Sequence, residues 1–328
     1  MKSSIGSKIR LTVFGESHGS AVGVIIDGLA PGIPVDCEFI KSQLAKRRPQ
    51  GKTDTPRVEN DNFQILSGVF EGKTTGTPIA IVIPNENTKS KDYNYGVARP
   101  SHADYTAYAK YHGYEDYRGG GHFSGRVTAG LVAGGAIALS ALKNLGINIG
   151  THILSCAGER DRAFGDVNKD VLSLQDKSFP VLDDGAEDRI VAKITEAREN
   201  KDSVGGIKGV EFGLGEGFAS LYGSQANDSF EYKDGRVVTT TNNSGGVNGG
   251  ITNGMPITFT CTVKPTPSIA KEQSTVDFIK GENATLEIKG RHDPAIIRRI
   301  CPVVDSLCAL VICDMLATRF GTDFLNKN

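Results

Sequence analysis

A chain of 328 residues with a formal net charge of -1 is long enough for one large or two average domains and lacks the basic excess of a general nucleic-acid binder. Its 40 glycines are scattered among apolar runs, which argues against a low-complexity chain and points to tight turns and close backbone approaches. The six cysteines, Cys37, Cys156, Cys261, Cys301, Cys308 and Cys313, show neither C-x-x-C nor metal-ligand spacing, so reduced thiols are expected and no metal is.

In chain order, "IRLTVFG" and "AVGVIIDGL" predict two strands, and "DCEFIKSQLAKRRP" a helix that stops at Pro49. Two further strands follow at "FQILSGVFEG" and "TPIAIVIP". A helix is expected from Asp104 to Tyr117, and a second opens at Gly125 or Arg126 and is closed by Gly146. "DRIVAKITEAREN" reads as an amphipathic helix, "GVEFGLG", "GRVVTTT" and "PITFTCTV" as strands, and "PVVDSLCALVICDMLATRF" as an apolar helix with Pro302 in its first turn. Helices and strands mix without a βαβ rhythm, which predicts an α+β fold with antiparallel sheets covering helices, in a single domain over residues 1–328. The N-terminus has no apolar signal core, and the apolar uncharged run Val127 to Leu142 is too short and too rich in Gly and Ala to span a bilayer. A cytoplasmic protein with no membrane partner is expected.

Four segments carry chemistry. "GESHG" matches the G-x-S-x-G elbow formally, but the alternating strand that follows it lacks the helix an elbow needs, so His18 draws the attention that Ser17 loses. Read alone, His18 is equally a turn histidine without a task. Between Lys41 and Arg57 six basic residues face one acidic residue, which is either a solvated helix end or an anion site built on the forks of Arg47 and Arg48. The stretch from Arg99 to Arg126 holds three of the six histidines, tyrosines at 105, 108, 111, 114 and 117, and a glycine loop before a helix start. The tyrosines read as half-buried core, and the loop as a place where backbone and helix N-terminus approach an anionic ligand. Spacings of ten among His102, His112 and His122 match no common metal pattern. Near the C-terminal end, "GRHDP" sets Asp293, a candidate base, beside Arg291.

Ten motifs in order, "FGESHG", "RRP", "SGVFEGKTTGTPI", "RPSHADYT", "YRGGG", "KGVEFG", "TNNSGG", "NGGITNGMPI", "KPTPSI" and "GRHDP", make the chain resemble the chorismate synthase family over nearly its whole length. The resemblance implies a β-α-β sandwich, with central helices between two antiparallel sheets, and a homotetramer. It implies conversion of 5-enolpyruvylshikimate 3-phosphate to chorismate by 1,4-anti elimination of phosphate, with reduced FMN (FMNH2) and no net redox change. The flavin would be reduced either by the chain itself with NADPH or by an external flavin reductase. By position, His18 and His102 would be the proton donors to phosphate and flavin, Asp293 the carboxylate near flavin N5, and Ser17 and Ser124 proton relays. Arg47, Arg48, Arg99 and Arg126 would hold substrate anions. His122, Phe123, Ser124, Gly249, Lys264, Pro265, Thr266, Pro267, Ser268 and Arg291 would contact FMN. The chain departs from the family in reading "GGGHFSGRVT" for "GGGRSSARET", in lacking a clear counterpart to a basic residue after "RRP", with Lys52 and Arg57 both candidates, and in a shortened segment near residues 203–208. The competing expectation is a divergent member that binds flavin or a phospholigand without turnover. Retention of His18, His102 and Asp293 favours the enzyme, because binding alone needs cations and glycines rather than proton donors.

Overall fold

The computed structural model describes residues 2–54, 60–86, 94–288 and 293–326. They form two compact units, Met1–Val204 with Thr266–Asn328, and Gly205–Pro265. In the first unit, β1 (Ser4–Ile5), β2 (Arg10–Gly15) and β3 (Ala21–Asp27) precede α1 (Cys37–Arg47). Strand β4 (Gln64–Ser67), the small hairpin β5 (Val69–Phe70) and β6 (Lys73–Thr74), and β7 (Ile79–Pro84) follow. Next come α2 (Asp104–Tyr111), α3 (Thr128–Asn144), the pair β8 (Ser155–Cys156) and β9 (Glu159–Arg160), α4 (Val167–Ser173) and α5 (Asp184–Glu199). The second unit contributes β10 (Gly206–Phe212), α6 (Gly223–Ala226), β11 (Phe230–Lys233), β12 (Arg236–Thr239), β13 (Val247–Asn248), β14 (Ile251–Thr252) and β15 (Phe259–Lys264). The chain then closes the first unit with the hairpin β16 (Gln273–Asp277) and β17 (Glu282–Leu286), and with α7 (Ile297–Phe320).

The first unit is built on a five-stranded antiparallel sheet in the order β1-β2-β3-β7-β4. Alternation along β3 and β7 sends Val22, Val24, Ile26, Ile79, Ile81 and Ile83 to one face, all buried, and α1, α3 and α7 complete the core with them. Helix α3 is mostly Gly, Ala and Leu, and it can approach its neighbours closely. At its crossing with α7, a Cβ on Gly135 would lie 2.2 Å from that of Ser306, so any side chain there would drive the helices apart. Mixed helices with antiparallel pairing throughout match the α+β expectation.

Three local readings change. Helix α2 stops at Tyr111, because His112 takes a left-handed conformation (φ 57°), so the tyrosines do not share one stripe. Tyr108 packs with Tyr95 and Phe278, whereas Tyr114 is 92% exposed. Helix α7 starts five residues before Pro302, which therefore lies inside the helix and not in its first turn. The added turn carries Arg298 and Arg299, whose guanidiniums cap the last carbonyls of α1 and outweigh the proline's missing N–H. Two segments, Gly125–Asn144 and Ile297–Phe320, are also long and apolar enough to cross a membrane, contrary to the reading of run lengths. The apolar windows of these segments are 78% and 50% buried within the protein.

In the second unit, β10 and β15 pair from Gly206↔Lys264 to Phe212↔Phe259 with a bulge at Lys208, and β11 and β12 form a tight hairpin through Asp234 and Gly235, both at positive φ. Val210, Phe212, Tyr222, Phe230, Tyr232 and Ile251 are all at least half exposed.

Candidate active site

The turn between β2 and β3 holds Glu16, Ser17 and His18, and the loop after α2 carries three consecutive glycines at φ 63°, 84° and 52°. Only glycine adopts that run without strain. The two segments are tied by the Ser17 N–H donating to the Gly121 carbonyl at 3.0 Å. A Cβ on Gly119 would lie 2.6 Å from His18 Nε2 and 2.9 Å from Ser17 Oγ. One on Gly120 would lie 2.8 Å from His102 Cε1 and 3.2 Å from His102 Nε2. Two histidines 84 positions apart in sequence thus present their Nε2 edges to adjacent residues of one glycine floor. Ser17 and His18 are both buried, and Ser17 Oγ has no hydrogen-bond partner among the described residues, which a ligand's polar atom would supply.

The supports of this floor are visible. Asp116 accepts bidentately from Arg118 at 2.8 and 2.8 Å, and these hydrogen bonds, against an opposing effect of burial, hold its carboxyl below the usual range. Asn85 donates to the carbonyls of Glu16 and Gly19, both at 2.9 Å, and accepts from Arg126 Nε at 2.9 Å. His102 Nδ1 lies 2.7 Å from Asp104 Oδ1, and Asp104 also accepts from the Arg99 backbone N–H, Nε and Nη2 at 2.9, 2.8 and 2.7 Å.

The arginines gather around Asp61, whose side chain is fully buried. Arg126 pairs with it directly and also donates to the Pro84 carbonyl. Arg47 reaches it at 3.4 Å while donating to Thr128 Oγ1 and to the carbonyls of Gly125 and Arg126. Arg48 differs: its side chain is 32% exposed, and its buried Nε lies 3.8 Å from Asp61 with no hydrogen bond among the described residues. Arg298 and Arg299 donate to the carbonyls of Lys46, Arg47 and Arg48, and Arg299 also pairs with Asp293 at 2.6 Å. Asp293 is thereby linked to the end of α1 that carries Arg48.

Of the residues expected at flavin, His122 uses both ring nitrogens on protein groups, Ser3 Oγ at 3.0 Å and the Gly15 carbonyl at 2.9 Å. Phe123 packs on Tyr111, and Ser124 caps the turn before α3 through the Arg126 N–H at 3.3 Å. The serine thus caps the 3-10 turn at residues 125–127, whereas α3 itself begins after Val127 with no side-chain cap among the described residues. Thr266, Pro267 and Ser268 belong to the first unit, where the Thr266 carbonyl accepts from Ser203 Oγ at 2.6 Å. Gly249, Lys264 and Pro265 belong to the second. Burial first, and the neighbouring Lys208 second, push the Lys264 ammonium below its ordinary range. Arg291 lies outside the described residues, as does Arg57. Asp61, Asn85 and Asp104 escaped the sequence reading as site residues. Asp104 sat inside a quoted motif, whereas Asp61 and Asn85 had no local signal.

A family model described as chorismate synthase matches residues 9–208 and 206–317. The two matched stretches meet at residues 206–208, the place of the shortened segment. Chorismate synthase of Thermococcus kodakarensis is 43% identical over 351 aligned positions, more than the 328 residues of this chain, covering 96% of this chain and 97% of the relative. That of Methanosarcina mazei is 42% identical, covering 96% of each. A crystal structure of chorismate synthase superposes with a TM-score of 0.73 at 25% identity, covering 98% of both chains. These likenesses fit the catalytic reading rather than the binding-only alternative.

Proposed function

The chain belongs to the chorismate synthase family, and from that premise we propose that it eliminates phosphate from 5-enolpyruvylshikimate 3-phosphate to give chorismate, with reduced FMN bound. The observation that supports the reading most is the glycine floor, where Gly119 lies against His18 and Gly120 against His102, the two proposed proton donors. The Ser17 hydroxyl beside that floor, without a partner among the described residues, and the partly exposed Arg48 side chain suit a flat ligand and an anionic one. Reduced FMN, when bound, lends electron density as phosphate departs and recovers it as the C6 hydrogen leaves.

The protein's part follows from its side chains. His18 gives the proton at its Nε2 edge to the departing phosphate, with Ser17 Oγ placed to relay. Arg48 pairs with substrate carboxylate or phosphate, while Arg47 and Arg126, held behind it on Asp61, add positive field and fix the helix end that aims it. Arg99 acts from behind His102, since its fork lies on Asp104. Ser124, Phe123 and His122 shape the loop; Gly249, Lys264 to Ser268 and Arg291 would hold the flavin, and Asp293 would serve as a carboxylate toward it. Assembly as a cytoplasmic homotetramer is part of the reading, supported by the exposed apolar side chains of the second unit, which a partner subunit would cover. Flavin reduction falls to an external reductase or to NADPH.

The test is an anaerobic assay with 5-enolpyruvylshikimate 3-phosphate and chemically reduced FMN, following chorismate absorbance and phosphate release. Turnover that collapses in His18→Ala and His102→Ala establishes the reading. Protein that binds FMN without turnover returns the binding-only alternative, and native mass spectrometry reads the oligomer.

A further inference from the structure

We infer that Asp104 is a positioning residue for His102, fixing the imidazole with its hydrogen on Nδ1 so that Nε2 is the nitrogen that gives and regains a proton at the glycine floor. The inference rests on the proposed role of His102 for its kinetic half, and on geometry alone for its structural half.

The geometry leaves one arrangement. Burial by itself would raise the Asp104 carboxyl, but hydrogen bonds from Arg99 and His102 outweigh it and keep the group well below the usual carboxylate range, so it is ionised and accepts only. A contact of 2.7 Å between its Oδ1 and His102 Nδ1 then requires the hydrogen on Nδ1. Arg99 Nη2 lies 3.0 Å from the same Nδ1 but can only donate, and its better-placed acceptor is Asp104 Oδ1 at 2.7 Å. A lone pair on Nδ1 would satisfy Arg99 at 3.0 Å and set two acceptors against each other at 2.7 Å, which is the costlier choice.

Arg99 in turn prevents Asp104 from swinging, because three of its N–H groups, backbone and fork, grip the carboxylate. The ring is left with Cε1 and Nε2 toward Gly120. When His102 acts as an acid, the Nε2–H bond breaks, its electron pair stays on the ring, and the neutral imidazole keeps Nδ1–H on Asp104. Other charged groups surround this pair. Glu115 and Asp116 line a small depression with Asp104 and Gly120, and His18 and Arg118 act on Asp116 from nearby. A test must therefore separate Asp104 from the general field.

The experiment uses Asp104→Asn, with Glu115→Gln as the field control, and two readouts. Nitrogen-15 NMR of the ligand-free protein, assigned by loss of signals in His102→Gln, is expected to show Nδ1–H in the wild type and a mixed tautomer in D104N. In the flavin-loaded enzyme, kcat is expected to fall about 10- to 100-fold with KM little changed, and the basic limb of the pH–rate profile to move about one unit acidward in D104N but not in E115Q. The direction follows because a lost carboxylate makes the acid easier to deprotonate. An Nε2–H tautomer in the wild type overturns the inference outright. So do equal limb shifts in D104N and E115Q, or a D104N enzyme with unchanged kcat and limb. Should D104N fail to fold, Asp104→Glu keeps the charge on a longer arm and carries both readouts. Turnover that survives in His102→Ala overturns the role of His102 and the inference with it, whereas a failure confined to D104N leaves the role of His102 standing.

Discussion

Arg126 and His102 lie in one short stretch of chain, yet the fold uses them in opposite ways. The guanidinium of Arg126 is buried and divided among Asp61, Asn85 and a carbonyl, and Arg47 beside it is used similarly. The imidazole of His102 has one nitrogen on Asp104 and its other edge laid along Gly120, where no side chain intervenes. Five donors make an arginine easy for carbonyls and carboxylates to saturate, whereas a histidine with one anchored nitrogen still has its second for chemistry. In the arginine half, then, most of the charge is structural, and one member, Arg48, keeps about a third of its side chain exposed while its Nε stays buried near Asp61. In the histidine half, the structural work at His102 is done by a glycine and a carboxylate, which leave its Nε2 edge on the loop.

The comparison breaks most visibly at Arg126. Arg126→Met leaves Asp61 buried without its closest partner, and about 3–5 kcal/mol of stability should be lost in urea unfolding. A loss below about 1 kcal/mol would mean that the cluster is not a keystone and that Arg126 is available to substrate. Next in size is the floor. Gly120→Ala puts a Cβ 2.8 Å from His102 Cε1 at a backbone φ of 84°, so kcat should fall by about 100-fold, with stability reduced by only about 1–2 kcal/mol. An active G120A enzyme would show that the close approach of ring and loop is incidental.

What could be read from sequence follows the same division. Strands β2, β3, β4 and β7 of the main sheet, with α1, α3 and α5, are legible through alternation, helical periodicity and stop signals, because those patterns reflect burial on one face, whereas the two-residue β1 carries no such pattern. The meeting of "GESHG", "RPSHAD" and "YRGGG" was legible only as a resemblance, since nothing local in His18 or His102 says that their rings will rest on successive glycines. Asp61 was out of reach. It lies between a basic run and a strand with no motif of its own, and its burial is decided by Arg47 at the end of α1 and Arg126 in the turn before α3. The start of α7 was misplaced because Pro302 looks like a first-turn residue, while the turn before it exists to cap α1.

Arg48 sharpens the contrast within its own cluster. With a third of its side chain exposed and its Nε without a hydrogen bond among the described residues, Arg48→Ala should leave stability within about 0.5 kcal/mol while raising the KM for 5-enolpyruvylshikimate 3-phosphate about 10- to 100-fold. Equal damage to stability from R48A and R126M would erase the distinction between a partly exposed and a buried arginine.

The smallest effect concerns how the histidine half is held. Because the folded state keeps the Asp104 carboxyl below its ordinary range, the unfolded chain binds its proton at higher pH than the native one does. The resulting stabilisation is complete above the unfolded carboxylate value of about 4 and fades as pH falls through the folded value. Wild type should therefore exceed Asp104→Asn by about 1–2 kcal/mol at pH 6, in chemical denaturation, and the gap should narrow steadily toward pH 3. A gap that stays constant across that range would mean that the contact is held by shape rather than by charge. In that case Arg99 and Asp104 would resemble the saturated arginines around Asp61 more closely than the tautomer argument requires.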